Sequence, residues 1–97
     1  MGFRIVLAPE AVEDLRRLKA NVRAVVKAAI QTHLAHEPDK TSRSRIKRLR
    51  GVSRPQYRLR VGDVRISYDV TEESVEILAI VAKSETEAWL AQFGRKR

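Results

Sequence analysis

The 97-residue sequence has no cysteine, so neither disulfides nor a thiolate metal site hold it together, and a reducing compartment is permitted. No stretch approaches the roughly 18 consecutive apolar residues of a membrane span. The opening residues Met1–Gly2–Phe3–Arg4–Ile5 lack the apolar core of a secretory signal. The expectation is a soluble, cytoplasmic protein without a membrane partner. Its length suits one domain, residues 1–97, with a modest core that needs no staples. Repeats and low-complexity tracts are absent as well.

Several chemistries are missing too. There is no Ser/His/Asp set, no P-loop and no glycine-rich phosphate loop. His33 and His36 stand three apart with no third ligand in view, which reads as two ordinary helix residues; no metal or cofactor is expected.

What the chain has is positive charge. Lys and Arg number 20 against 12 Asp and Glu, a net +8, which favours polyanionic partners. The charge is concentrated. Between Lys40 and Arg65 lie Lys40, Arg43, Arg45, Lys47, Arg48, Arg50, Arg54, Arg58, Arg60 and Arg65, opposed only by Asp63.

Phe3–Leu7 reads as a short strand. Pro9 suits the first turn of a helix, followed by Glu10, Glu13 and Asp14 near its positive end and by Ala11, Val12, Leu15 and Leu18 at helical spacing. This predicts a helix over about Pro9–Lys19. Asn21 is a candidate cap for a second helix, striped by Val22, Val25, Val26, Ala29, Ile30 and Leu34, running to about His36 before Glu37–Pro38. So short a join predicts an antiparallel helical hairpin. Asp39–Ser44 reads as a loop and Ile46–Leu49 as a short strand. From Gln56 the period becomes two, on both sides of Gly62–Asp63, which has the form of a two-residue type II′ hairpin turn. After a looser turn at Thr71–Glu73, Val75–Ala82 is apolar at every position from Ile77 and reads as a strand buried on both faces. Glu85–Phe93 suits a last helix, and Gly94–Arg97 a frayed basic tail. The predicted fold class is α+β: an N-terminal strand and a helical hairpin packed on an antiparallel sheet of three to four strands, with a short C-terminal helix.

A two-residue turn dictates register. Val61 must pair with Val64, Arg60 with Arg65, Leu59 with Ile66 and Arg58 with Ser67. Arg58, Arg60 and Arg65 then share one face, while Tyr57, Leu59, Val61, Val64, Ile66, Tyr68 and Val70 share the other and cover the helices. Parity also puts Tyr57 and Tyr68 in the core. Trp89 and Phe93, at helical spacing, are expected to cover core. Like charges directly opposite, as Arg60 and Arg65 would be, cost stability, on a scale of about 0.2–1 kcal/mol for such pairs. A cationic floor of this kind fits phosphate, to which arginine offers a planar fork of donors. Lys47, Arg48 and Arg50 just upstream extend it as candidate nucleic-acid contacts. No carboxylate pair falls on that face, which argues against a two-metal nuclease. RNA cleavage there would use arginine and lysine to stabilise charge developing on phosphorus while the substrate's own 2′-hydroxyl attacks.

Leu49–Arg50–Gly51, the run Tyr57–Val70 (YRLRVGDVRISYDV) and the apolar strand Val75–Ala82 followed by Lys83 resemble the RelE/ParE superfamily of toxins from bacterial type II toxin–antitoxin systems, over nearly the whole chain. The resemblance implies the same α+β fold and a cognate antitoxin protein as partner. In RelE-like members the basic face enters the ribosomal A site and cleaves mRNA without a metal, which inhibits translation and arrests growth. The resemblance implies catalytic roles for Arg58, Arg60 and Arg65, places Arg50 at the family's leucine-arginine-glycine arginine, and puts Lys83 where a basic residue often ends the last strand. This chain departs from the RelE-like pattern in having Ser84 where an arginine is common, and no tyrosine near Trp89–Leu90. ParE-like members share the fold without the RNase constellation and poison DNA gyrase instead. An mRNA endonuclease is therefore the first expectation, gyrase inhibition the alternative, and a catalytically inert nucleic-acid-binding domain the second alternative.

Overall fold

The alternating segments on either side of Gly62–Asp63 become β4 (Tyr57–Val61) and β5 (Val64–Val70). Their pairing runs Val61 with Val64, Arg60 with Arg65, Leu59 with Ile66 and Arg58 with Ser67, the register that a two-residue turn demands. Gly62 has φ +57° and among the described residues no non-glycine residue has positive φ, so of the two turn residues only the first has positive φ, as a type II′ turn requires. The structure, a computed structural model, describes residues 2–96. Met1 and Arg97, included above in the opening segment and the basic tail, lie outside the described residues.

The remaining elements are β1 (Arg4–Leu7), α1 (Pro9–Arg17), α2 (Ala20–Leu34), β2 (Ile46–Arg48), β3 (Val52–Arg54), β6 (Ser74–Ala82), a 3-10 turn at Lys83–Glu85, α3 (Thr86–Phe93) and β7 (Arg95–Lys96). The sheet has five strands in the order β1-β6-β5-β4-β2, antiparallel except where β1 runs parallel to β6. It is wider than the three to four strands expected, because the N-terminal strand joins its edge and pairs Leu7 with Ile77. A second correction concerns the tail. Arg95–Lys96 is not frayed but pairs antiparallel with Val52–Arg54 in a small two-stranded sheet. Neither segment is long enough to show a period of two, which is why pattern alone missed both.

Leu59, Val61, Val64, Ile66 and Tyr68 line the inner face and form one cluster with Ala11 of α1, Val26, Ile30 and Leu34 of α2, and Val75, Ile77 and Ile80 of β6. Each fully buried aliphatic side chain of this size contributes about 1.5–3 kcal/mol. Strand β6 has both Ile77 and Ile80 in this core, three residues apart, because the β5–β6 register shifts so that Ser67 faces Ala79 while Tyr68 faces Ile77, leaving Leu78 as a bulge. That bulge is the reason for an apolar run without alternation.

The helices break two residues earlier than read from sequence. Asn21 does not cap α2; it sits inside the first turn, and the cap position is Lys19, without a side-chain bond. The end of α1 is instead closed by Arg23, whose guanidinium donates to the carbonyls of Leu15, Arg16 and Leu18 at 3.2, 3.1 and 2.9 Å. Those are the orphan acceptors that any helix C-terminus leaves. Asp14 ties α1 to the sheet by accepting the Ile80 N–H at 3.0 Å, beyond the last residue that β1 reaches.

Tyr68 is fully buried, stacks on Tyr57 at 5.6 Å and donates its hydroxyl to the Pro38 carbonyl at 2.6 Å. Burial pushes its phenol well above the ordinary tyrosine value, so it stays a neutral donor at any physiological pH. This bond, with the burial of Pro38 itself, ties the α2–β2 loop to the core. Tyr68→Phe is expected to lower stability by about 1–3 kcal/mol by orphaning that carbonyl; an unchanged urea midpoint would show that the loop is held by other means.

Candidate nucleic-acid interface

The outer face of the sheet is built by the same hairpin. Lys47 pairs with Arg58 across β2 and β4, and Arg60 with Arg65 across β4 and β5. The loop before β2 adds Arg43 and Arg45. Ser42 shapes that loop, its hydroxyl accepting the backbone N–H groups of Arg45 and Ile46 at 3.0 and 3.2 Å. The Arg60 N–H donates to the Arg45 carbonyl, which carries the ladder into the loop. The product is a cleft of about 210 Å³ lined by Ser42, Ser44, Ile46 and six cationic side chains: Arg43, Arg45, Lys47, Arg58, Arg60 and Arg65. Among the described residues no acid lines it.

The arginines differ in how they are held. Arg65 folds back over the hairpin turn, donating to the Gly62 and Val64 carbonyls at 2.7 and 3.1 Å, which holds its guanidinium in place without neutralising it. Arg60 is exposed and has no ion pair among the described residues. Arg58 keeps 13% of its side chain exposed, and its counter-charge is Glu87 of α3 at 3.7 Å. Burial lowers its pKa, Glu87 raises it and Arg65 lowers it. An arginine so placed stays charged, since guanidinium does not lose its proton in proteins.

Arg54 shows what a structural arginine looks like in the same region. It reaches Asp69 at 2.9 Å and Glu76 at 2.5 Å, carboxylates that β5 and β6 place opposite each other. Asp69 also accepts the Gln56 N–H at 2.7 Å. Burial raises the Asp69 carboxyl, against the pull of that N–H and of Arg54. So Arg54, counted in the basic run, is neutralised locally and fastens β3 to the sheet.

Of the seven positions singled out in sequence, the structure brings Lys47, Arg58, Arg60 and Arg65 together in the cleft. Arg48 pairs with Tyr57 and lies over its ring at 5.0 Å, on the opposite side of the sheet from Lys47. Arg50 is exposed just beyond β2, and Lys83 begins the 3-10 turn with its N–H on the Asp63 carbonyl; neither lines the cleft. Arg43 and Arg45 do line it and carried no signal beyond membership of the basic run, because a loop has no period from which to read direction. His33 borders the adjoining cleft, which shares Ser42, Arg45 and Ile46 with this one; burial first, then Arg45, lowers its pKa. The Trp89 and Phe93 rings meet in a tilted arrangement with centroids 5.7 Å apart, but Phe93 remains 58% exposed, so the pair covers core only in part.

Residues 5–86 match the family model of the ParE toxin of the type II toxin–antitoxin system parDE. The chain belongs to that toxin family. Solved structures similar in fold include the RelB–RelE antitoxin–toxin complex of Methanococcus jannaschii, with 21% identity and a TM-score of 0.64 over 87% of this chain and 96% of the other. They also include the RelBE2 toxin–antitoxin complex of Mycobacterium tuberculosis, with 23% identity and a TM-score of 0.62 over 84% and 99%. A third is the archaeal RelE–RelB complex of Pyrococcus horikoshii OT3, with 21% identity and a TM-score of 0.64 over 86% and 97%. Among curated proteins none matches the sequence significantly. The toxin's family match stops at Thr86, so nearly all of α3 and β7 lie beyond it. Among the described residues no helix is long and apolar enough to cross a membrane.

The two kinds of arginine make opposite predictions. Arg54→Gln is expected to lower stability by about 1–3 kcal/mol, since it leaves two half-buried carboxylates facing each other. Arg60→Gln is expected to leave stability unchanged or raise it by up to about 1 kcal/mol by relieving its opposition to Arg65. Urea unfolding of the two variants checks this; a loss at Arg60 equal to that at Arg54 would contradict it.

Proposed function

We propose that this toxin is an mRNA endonuclease that acts in the ribosomal A site and so inhibits translation. The observation that carries the reading is the cleft in which six cationic side chains converge with no acid among its lining residues. Such a cleft grips the phosphodiester backbone and stabilises the extra negative charge that phosphorus acquires when a neighbouring 2′-hydroxyl attacks it. In that step the O2′–P bond forms and the P–O5′ bond breaks, giving a 2′,3′-cyclic phosphate and a 5′-hydroxyl. The 2′-hydroxyl gives up its proton to water and the departing O5′ takes one from water, since the arginines lining the cleft do not exchange theirs. Arg58, Arg60 and Arg65 are the groups placed to stabilise that transition state, with Lys47, Arg43 and Arg45 holding the flanking backbone. Arg48, Arg50 and Lys83 are proposed as outlying contacts to nucleic acid. A cognate antitoxin is the proposed regulatory partner, by analogy with the toxin–antitoxin complexes of the structural relatives.

Gyrase inhibition is the second reading. It is favoured by the match to the ParE toxin model and by Ser84 and Trp89 standing where RelE-like enzymes commonly place an arginine and near a tyrosine. The two readings part on one experiment. Purified toxin is added to programmed ribosomes, with naked mRNA as control, and cut sites are mapped by primer extension. Cuts in the A-site codon that require ribosomes, and that disappear when Arg58, Arg60 and Arg65 are all changed to Glu, are expected. No cuts from a protein that still arrests growth, together with inhibited supercoiling, would overturn the endonuclease in favour of gyrase.

A further inference from the structure

The last turn of α2 carries His33, and His36 follows just past its end. Among the described residues they belong to no cluster of three metal-ligating side chains. Both line a cavity of about 290 Å³ between the end of α2 and the loop that leads to β2. This cavity adjoins the cationic cleft, because Ser42, Arg45 and Ile46 line both. The two differ in chemistry. Six cations line the cleft. In its neighbour Lys40 is paired with Glu37 at 3.7 Å, so the uncompensated charge there is Arg45, on the shared wall.

What else the smaller cavity offers is neutral hydrogen bonding. Thr32 and Thr41 bring hydroxyls and His33 an imidazole, and among the described residues none of these groups is taken up by a hydrogen bond. Burial, and then Arg45, lowers the His33 pKa, so its ring is neutral at physiological pH and presents one N–H donor and one nitrogen acceptor. A histidine in the last turn of a helix can serve the helix end as a cation; here the shift runs the other way. Single-stranded RNA is divided in the same manner. Its phosphates track a cationic groove, while its bases splay aside and are read at their edges by hydrogen bonds. Base edges carry donors and acceptors without charge and suit neutral groups that do both, whereas phosphate only accepts and suits cations.

We propose that the cavity at the end of α2 is a nucleobase subsite, in which His33, with the hydroxyls of Thr32 and Thr41, reads the edge of one RNA base while the adjoining cleft holds the backbone. The subsite rests on the reading of the cleft as an RNA site. It adds a source of sequence preference that the cations cannot supply, since the phosphate is the same at every nucleotide. Arg45, on the wall between the two cavities, marks where the backbone passes and the base turns aside.

The test measures binding of the full-length toxin to four short single-stranded RNAs at constant ionic strength: runs of uracil that differ only in carrying A, C, G or U at one central position. The wild type is expected to favour the best of the four over the worst by about five- to tenfold. His33→Ala is expected to bring all four within about twofold of one another with the urea midpoint unchanged, and His33→Gln, which keeps a neutral donor and acceptor, to retain a preference. Arg60→Gln is expected to weaken all four equally, as a backbone contact does. Equal binding of the four by the wild type, or a preference that survives His33→Ala, would overturn the subsite. So would a preference lost in both His33 variants together with a lower midpoint, which would make His33 structural. In each of these cases, uniform weakening by Arg60→Gln would leave the RNA reading standing. RNA binding indifferent to both Arg60→Gln and Arg65→Gln would remove the two together.

Discussion

Gly62 turns the chain at φ +57°, and the register that follows decides which side of the sheet every residue of β4 and β5 serves. A slip of one residue would carry Leu59, Ile66 and Tyr68 to the outside and bury Arg58, Arg60 and Arg65 against the helices. The hydrophobic term forbids that: three large side chains at about 1.5–3 kcal/mol each outweigh the repulsion of arginines left facing one another. The core and the cationic cleft are thus two consequences of one turn. The helices below the sheet hold the register, and the register presents the arginines above it.

The arginines of this fold divide into those matched within it and those left uncompensated. Arg54 is matched by Asp69 and Glu76 and holds β3 on the sheet. Arg23 is matched by three carbonyls and closes α1. Arg58 and Arg60 are not matched in this way, and Arg65 is positioned by carbonyls without being neutralised. Proteins commonly give up stability in this manner where they bind or react. On the proposed reading, the uncompensated cations of the cleft are the charge that an anionic target would match.

Much of this was legible in the sequence, for identifiable reasons. Period-two alternation around a two-residue turn determines pairing and faces, so Arg58, Arg60 and Arg65 could be placed together before any coordinates. Elements that depend on distant partners could not. The strand Arg95–Lys96 exists because Val52–Arg54 lies beside it, and two residues show no pattern. The bulge at Leu78 erased the alternation in β6. Asn21 looked like a helix cap, whereas the break is made by Arg23 reaching back to α1. Arg48 and Lys47 differ by one position and therefore by a whole face, which charge counting ignores but strand parity would have shown. The contact of Glu87 with Arg58 depends on where α3 lies, a long-range fact with no local signature.

The central claim is that the converging arginines are held against stability for a polyanion. The most direct measurement is the urea stability of the wild-type toxin and of the Arg58→Gln/Arg60→Gln/Arg65→Gln variant, each with and without a short single-stranded RNA at constant ionic strength. A ligand that binds only the folded state stabilises it by about 2.7 kcal/mol at a hundred times its Kd. The account predicts that RNA at that excess raises the wild-type stability by this order, that the triple variant gains nothing from it, and that without RNA the variant is at least as stable as the wild type. A variant that is less stable than the wild type without RNA, together with a wild type indifferent to RNA, would make the arginines structural and contradict the account.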